Sequence, residues 1–140
     1  MPVEVRPGSL DDGAAVVELL ASAVGGKDSR LDAALQRYGQ DPTAKLLLAV
    51  LDGRIVGVAG YVIGDAEVTL LHIATAESLR RDGIGTKLVA AVAESTDRPL
   101  AAETDKTSVG FYRALGFTIE SLGEKYPGVE RFRAQRSPIR

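Results

Sequence analysis

The stretch Arg80-Arg81-Asp82-Gly83-Ile84-Gly85 marks the junction between two segments of different character. Residues 68–75 before it are apolar and β-branched, which is typical of a buried strand. Residues 86–94 after it are rich in helix-forming side chains. Glycine allows positive φ and close approach of a ligand to the backbone, and a helix start presents unpaired N–H groups. The junction therefore predicts an anion-binding loop, with phosphate as the usual ligand; the simpler alternative is a tight turn.

The composition is that of an ordinary globular protein. Its 140 residues suit one domain, residues 1–140, whose core needs no disulfide bonds. The formal net charge of −2 argues against a nucleic-acid partner and leaves room for a cationic substrate. The absence of cysteine excludes a thiolate nucleophile and a cysteine-ligated metal, and one histidine leaves little for a metal site.

Neither a signal peptide nor a membrane span is evident in the sequence. The first residues lack a basic segment followed by an apolar one, and no apolar run approaches the roughly 20 residues that span a bilayer. We therefore expect a cytoplasmic protein without a membrane partner.

The apolar patterns and turn signals predict a mixed α+β domain. Asp52-Gly53 is a strong hairpin signal, Gly39 is expected to end the second helix, and residues 123–128 are expected to form the last turn. A helix precedes the strand at 100–103, so this strand should run parallel to the strand at 67–75. The predicted helices cover residues 14–23, 29–38, 86–95 and 108–115, and the predicted strands cover residues 2–6, 45–51, 54–63, 67–75, 100–103, 117–122 and 129–134.

A second informative stretch is Phe111-Tyr112-Arg113-Ala114-Leu115-Gly116-Phe117. Phe111 and Leu115 are spaced to pack into a core, and Gly116 is suited to end a helix. Tyr112 then serves either as a residue at the rim of the core or as a hydrogen-bonding proton donor.

Together the two stretches resemble the signatures of the GNAT family of N-acetyltransferases. The first is similar to the family's Q/R-x-x-G-x-G/A motif, and the second to its F-Y-x-x-x-G-F segment. The separation and the order of strands and helices also match, most strongly from about Arg54 to Phe117. The resemblance implies an α+β acyl-CoA N-acyltransferase fold. In that fold a mostly antiparallel mixed sheet of six to seven strands has a parallel splayed pair at its centre and is flanked by four helices.

The resemblance also implies acetyl-CoA as cosubstrate and no metal. Strand residues Ile73 and Thr75 would pair with the pantetheine arm, and Ser108 would lie near it. Asp82 stands where the family often has a basic residue, so we expect a weaker affinity for the cosubstrate but not its loss. The loop residues that would hold the pyrophosphate are Arg80, Arg81, Asp82, Gly83, Ile84, Gly85 and Thr86.

Two catalytic roles follow from the same resemblance. Tyr112 would protonate the departing CoA thiolate. Glu103 is the first choice for the general base that takes a proton from the amine, although it can also be a solvated charge at a strand end. His72, Glu67, Asp105 and a water chain remain alternatives, and a lone histidine in an apolar strand is often a packed core residue.

The implied reaction is transfer of an acetyl group to a primary amine by direct attack. A small-molecule amine is favoured because the chain is short and mildly acidic. The alternatives are a protein acetyltransferase acting on N-termini or lysines, and a non-catalytic acyl-CoA-binding module. In the family, the helical region at 29–38, with Arg30 and Arg37, shapes the acceptor pocket. The hairpin at 124–132 often lines the acceptor site or a dimer contact, so a homodimer is possible, but a plain surface hairpin is favoured.

Overall fold

A computed structural model of the chain describes residues 3–26, 28–79 and 82–137. Within them, seven strands form one sheet in the spatial order β1-β2-β3-β4-β5-β7-β6. The strands are β1 Glu4–Gly8, β2 Ala44–Leu51, β3 Arg54–Ile63, β4 Val68–Thr75, β5 Leu100–Asp105, β6 Thr118–Tyr126 and β7 Val129–Arg136, and the helices are α1 Ala14–Ala23, α2 Asp28–Gln40, α3 Ile84–Glu94 and α4 Val109–Ala114. None of the helices in this described part is long and apolar enough to cross a membrane.

The sheet is antiparallel except for its central pair, β4 and β5. These two strands pair over three residues only, ending where Leu70 faces Ala102. Beyond that point β4 stays paired with β3 as far as Thr75, and β5 stays paired with β7 as far as Asp105. The two strands therefore diverge, which confirms the predicted mixed sheet with a splayed parallel pair at its centre.

The helices cover both faces of the sheet. α1 and α2 pack on one face, where Leu20 lies in a cluster with Leu48 and Val58. α3 and α4 pack on the other face, in the cluster that contains Leu88 and Ala59. Neighbouring strand residues point to opposite faces, so the two clusters use alternate positions of the same strands.

Gly57 of β3 lets α3 lie close against the sheet. An added Cβ at this position would be 2.9 Å from the Ile84 Cγ2 and 3.2 Å from the Leu88 Cδ1. The start of α3 is therefore fixed tightly over the central strands.

Two of the predicted boundaries that depend on a glycine are wrong. Gly39 does not end α2, because the helix continues to Gln40 and the N–H of Asp41 still bonds to the Arg37 carbonyl at 2.9 Å. The last turn is confined to residues 127–128, because β6 runs on to Tyr126 through two irregularities in its pairing with β7. Gly123, at φ +78°, lies at one of these irregularities and not in a turn.

Candidate active site

The divergence of β4 and β5 opens a cleft of about 1190 Å³. Its walls are the second half of β4, the end of β5, the starts of α3 and α4, one face of α2 and the end of α1. Asp82 is exposed and does not line the cleft, while Arg80 and Arg81 lie outside the described residues. The cleft brings together the following residues predicted from the sequence: Ile73, Thr75, Gly83, Ile84, Gly85, Thr86, Glu103, Ser108 and Tyr112.

The start of α3 presents unpaired backbone donors at one end of this cleft. Gly83 is the N-cap residue and adopts the left-handed conformation, with φ 80° and ψ 12°. The first intrahelical bond runs from the Lys87 N–H to the Gly83 carbonyl at 3.0 Å, so the N–H groups from Gly83 to Thr86 have no partner within the helix. The N–H of Asp82 instead donates to the Leu79 carbonyl at 3.3 Å. The donors that the described part of the loop offers to an anion are therefore the N–H groups from Gly83 to Thr86, at the positive end of the helix dipole.

Gly83 and Gly85 are each required in this loop, but for different physical reasons. A Cβ on Gly83 would meet nothing within 4 Å, so this position needs glycine for its positive φ. Gly85 is helical, but a Cβ there would lie 3.3 Å from the Phe111 Cε1 and 4.0 Å from the Ile73 Cγ2. Gly85 therefore allows α4 and β4 to close around the start of α3.

Tyr112 lies in the wall of the cleft and is 9% exposed. Its ring stacks edge-on against Phe111 and Phe117, with both centroid distances 5.2 Å and interplanar angles of 77° and 72°. Burial raises the pKa of the Tyr112 hydroxyl. The phenol is therefore protonated at neutral pH and can donate a proton to a group in the cleft.

Glu103 lines the cleft from β5 and forms an ion pair with β7. The Arg131 Nε lies 3.3 Å from the Glu103 Oε1, and the glutamate side chain remains 55% exposed. Arg131 also lines the cleft, so the last hairpin contributes to the site and is not only a surface element. Glu67, by contrast, does not line the cleft, and its Oε1 lies 2.6 Å from Arg133 Nη2.

Asp105 has a structural role at the turn between β5 and α4. Its carboxylate accepts hydrogen bonds from the N–H and hydroxyl of Thr107, at 3.0 and 2.6 Å, and from the N–H of Ser108 at 3.2 Å. The Thr107 hydroxyl is the main cause that lowers the pKa of the Asp105 carboxyl. The Asp-x-Thr-Ser spacing is a turn signal from which this role could have been read.

His72 reaches the cleft from β4 on the α2 face of the sheet. Its Nδ1 lies 2.6 Å from the Tyr38 hydroxyl, and the two rings meet edge-on with centroids 5.5 Å apart. Burial, and secondarily the charge of Arg37, lowers the pKa of His72, so the ring is neutral at pH 7. Gly60 lies opposite His72 on β3, and a side chain there would overlap the Tyr38 hydroxyl.

One face of α2, which carries Arg30 and Arg37, lies against the site. Arg30, Ala33, Ala34 and Arg37 all line the cleft. Their i, i+3, i+4, i+7 spacing is the signal that places them on one face of a helix. No local sequence signal indicates the hydrogen bond between Tyr38 of α2 and His72.

Comparisons with known proteins agree with this geometry. The family model described as the acetyltransferase (GNAT) family matches residues 14–117. A structure assigned to the GNAT family, from Desulfovibrio desulfuricans, is 23% identical, with a TM-score of 0.81 over 99% of this chain and 100% of that one. A GNAT-family acetyltransferase from Bacillus cereus is 19% identical, with a TM-score of 0.79 over 100% of both chains.

A third solved structure was determined with a ligand. It is a GNAT-family acetyltransferase from Elizabethkingia anophelis with acetyl-CoA bound, 21% identical, with a TM-score of 0.72 over 96% of this chain and 97% of that one. No curated protein sequence matches the chain. The structural likenesses establish the fold, and the family model spans well over half of the sequence. This protein therefore belongs to the GNAT family of acetyltransferases.

Proposed function

We propose that this protein transfers an acetyl group from acetyl-CoA to a primary amine of a small molecule. The observation that carries the proposal is the cleft between β4 and β5, which has unpaired N–H groups at the start of α3 and the protonated Tyr112 in its wall. The acetyl-CoA bound to the Elizabethkingia relative, which shares the fold, supports the choice of cosubstrate.

The cleft fits the two chemical parts of acetyl-CoA. The N–H groups from Gly83 to Thr86 suit a pyrophosphate, and Gly83 leaves open space beside the loop backbone. Beyond Leu70, β4 no longer pairs with β5, so its edge as far as Thr75 is open to an extended arm that hydrogen-bonds like an added strand. The same edge can offer an N–H to the thioester oxygen as negative charge develops there.

The reaction needs one proton donor and one proton acceptor. As the amine nitrogen attacks the thioester carbon, a C–N bond forms, the C–S bond breaks and the sulfur leaves as a thiolate. Tyr112 gives its proton to this thiolate, and Glu103 takes the surplus proton of the amine directly or through water. Asp105 is less suited to this role because its carboxylate already accepts hydrogen bonds from its own turn. Glu67 is less suited because it pairs with Arg133 and does not line the cleft. His72, which is neutral and lines the cleft, is the alternative base.

The walls of the cleft favour a small acceptor over a protein. α2 and the end of α1 line the side of the cleft that faces away from the start of α3, so the proposed acceptor lies beside these two helices. The short, mildly acidic chain supports the same choice of a small acceptor.

Two measurements test this function. Titration calorimetry should detect acetyl-CoA binding to the parent protein and a loss of affinity in Gly83→Glu, which brings a negative charge to the phosphate donors. CoA thiol release should then appear with at least one member of a panel of small primary amines. Binding of acetyl-CoA with no release across that panel, or release only with peptides, would overturn the proposal in favour of a binding module or a protein acetyltransferase.

A further inference from the structure

The α2 wall of the cleft has a distinct composition. Arg30 and Arg37 stand one at each end of the lining face, and Ala33 and Ala34 lie between them. Seven residues along a helix correspond to about 10 Å, within which two long arginine side chains can converge on one small group. The alanines leave space where larger side chains would fill the cleft. This face therefore has room for a ligand group and two guanidinium donors beside it.

Arg30 and Arg37 differ in how far their positive charge is neutralised. The Arg37 Nε is 3.9 Å from the Asp41 Oδ2, the longest ion pair among the described residues. The Asp41 carboxylate is already engaged by the N–H and hydroxyl of Thr43, at 2.9 and 2.7 Å. Arg30 has no ion pair within the described part of the chain.

The charged side chains on the β5 and β7 side of the cleft have partners within the protein. Arg131 and Glu103 neutralise one another, and Asp105 is held by three donors of its own turn. Burial and, secondarily, the charge of Arg37 lower the pKa of His72, which lies on the α2 face of β4. Although the chain carries a net charge of −2, both charged residues with which α2 lines the cleft are arginines, and they form a positive wall.

This positive wall is distinct from the proposed pyrophosphate site. α2 packs on one face of the sheet, while the unpaired N–H groups belong to α3 on the opposite face. A cosubstrate held at the start of α3 therefore leaves the two arginines facing the acceptor.

We infer that the acceptor is an amine that also carries an anionic oxygen group, a carboxylate or a phosphate, and that Arg30 and Arg37 bind this group. The inference rests on the proposed function and specifies its substrate class. Guanidinium forks match the geometry of such groups. The same positive field disfavours the ammonium form of the acceptor, so more of the amine is in the neutral form that can attack. Polycationic amines are correspondingly poor acceptors.

The test compares acceptors that differ only in the anionic group. β-Alanine, 4-aminobutyrate and phosphoethanolamine are compared with β-alaninamide, 4-aminobutanamide and ethanolamine. Binding is measured by calorimetry on the CoA-loaded protein, and turnover by CoA release. We expect at least one anionic probe to be favoured about 10- to 100-fold, the range that a charged hydrogen-bonding pair supplies. Whether a carboxylate or the phosphate is favoured identifies the group.

Substitution of each arginine tests whether Arg30 and Arg37 cause the preference for anionic acceptors. Arg30→Gln and Arg37→Gln should each remove most of the preference by raising KM, with acetyl-CoA affinity unchanged. Arg54→Gln, an exposed position outside the cleft, is the control and should change neither quantity. Equal binding of the anionic and neutral probes, or variants that weaken acetyl-CoA instead, would overturn the inference while leaving the acetyl-transfer proposal intact. Selective binding of an anionic probe without any CoA release would support the inference and refute the proposed function.

Discussion

Gly60→Ala tests the contact between α2 and β4 that orients His72. The change is conformationally mild, since Gly60 does not have a left-handed φ, but an alanine Cβ would overlap the Tyr38 hydroxyl and lie 3.0 Å from the Tyr38 Cε1. The ring must therefore move away, and the 2.6 Å hydrogen bond to His72 is lost.

The loss in free energy of unfolding caused by Gly60→Ala is the sum of three contributions. An unsatisfied half-buried group costs about 1–3 kcal/mol, and overpacking costs about 1–3 kcal/mol. Alanine recovers roughly 0.5–1 kcal/mol over glycine within a strand. We expect Gly60→Ala to lower the free energy of unfolding by about 2–4 kcal/mol, as measured by urea denaturation monitored by circular dichroism.

A double-mutant cycle separates this contact from a general effect of the methyl group. In a Tyr38→Leu background the hydroxyl is absent, so Gly60→Ala should cost close to zero and the coupling energy should exceed about 1.5 kcal/mol. Gly110→Ala adds a methyl group in open space and should be neutral or slightly stabilising. If the two changes add within about 0.5 kcal/mol, Gly60 is not required by Tyr38 and the reasoning fails.

Further predictions concern single groups of the site. His72, the only histidine, should titrate by NMR below its ordinary pKa of about 6.5. As the pH falls through about 6.5, the unfolded chain therefore binds a proton at His72 before the folded protein does. The free energy of unfolding should be highest above about pH 6.5 and should decrease as the pH falls below it. Tyr112→Phe keeps the ring contacts, so it should leave stability within about 0.5 kcal/mol but lower kcat by about 10²-fold or more, and an unchanged kcat would remove the proton-donor role. Gly83→Ala should cost about 1–2 kcal/mol in urea denaturation because its φ is positive, and no loss would contradict the left-handed cap.

Local signals made the strands and the glycine-containing loop at the start of α3 predictable. β3 has the predicted bounds Arg54–Ile63, because Asp52-Gly53 adopts the two positive φ values of a tight hairpin. Gly39 was misread because glycine costs a helix only about 1 kcal/mol, which the packing of Leu35 and Tyr38 against the core offsets. Gly123 was misread because a positive φ serves a bulge as well as a turn.

Contacts between distant parts of the chain were not predictable in the same way. The hydrogen bond between Tyr38 and His72 joins residues 34 apart, and the ion pair between Glu103 and Arg131 joins residues 28 apart. Both depend on the register of strands and on the placement of α2, which no short motif specifies. The sequence could therefore name candidate bases, but it could not show which carboxylates are engaged in hydrogen bonds or ion pairs in the folded protein.

The register of β5 determines which chemistry faces the acceptor. Leu100 and Ala102 are buried on the α3 face, so Thr104 continues that face and is 7% exposed, while Glu103 between them faces the α2 side. A slip of one residue would bury the carboxylate in the core and remove it from the cleft. The parallel pairing of β4 and β5 ends at the level of Ala102, immediately before Glu103. The gap in the sheet thus opens where the strand presents its first charged side chain, and the proposed cosubstrate on the α3 face can there meet the proposed amine on the α2 face.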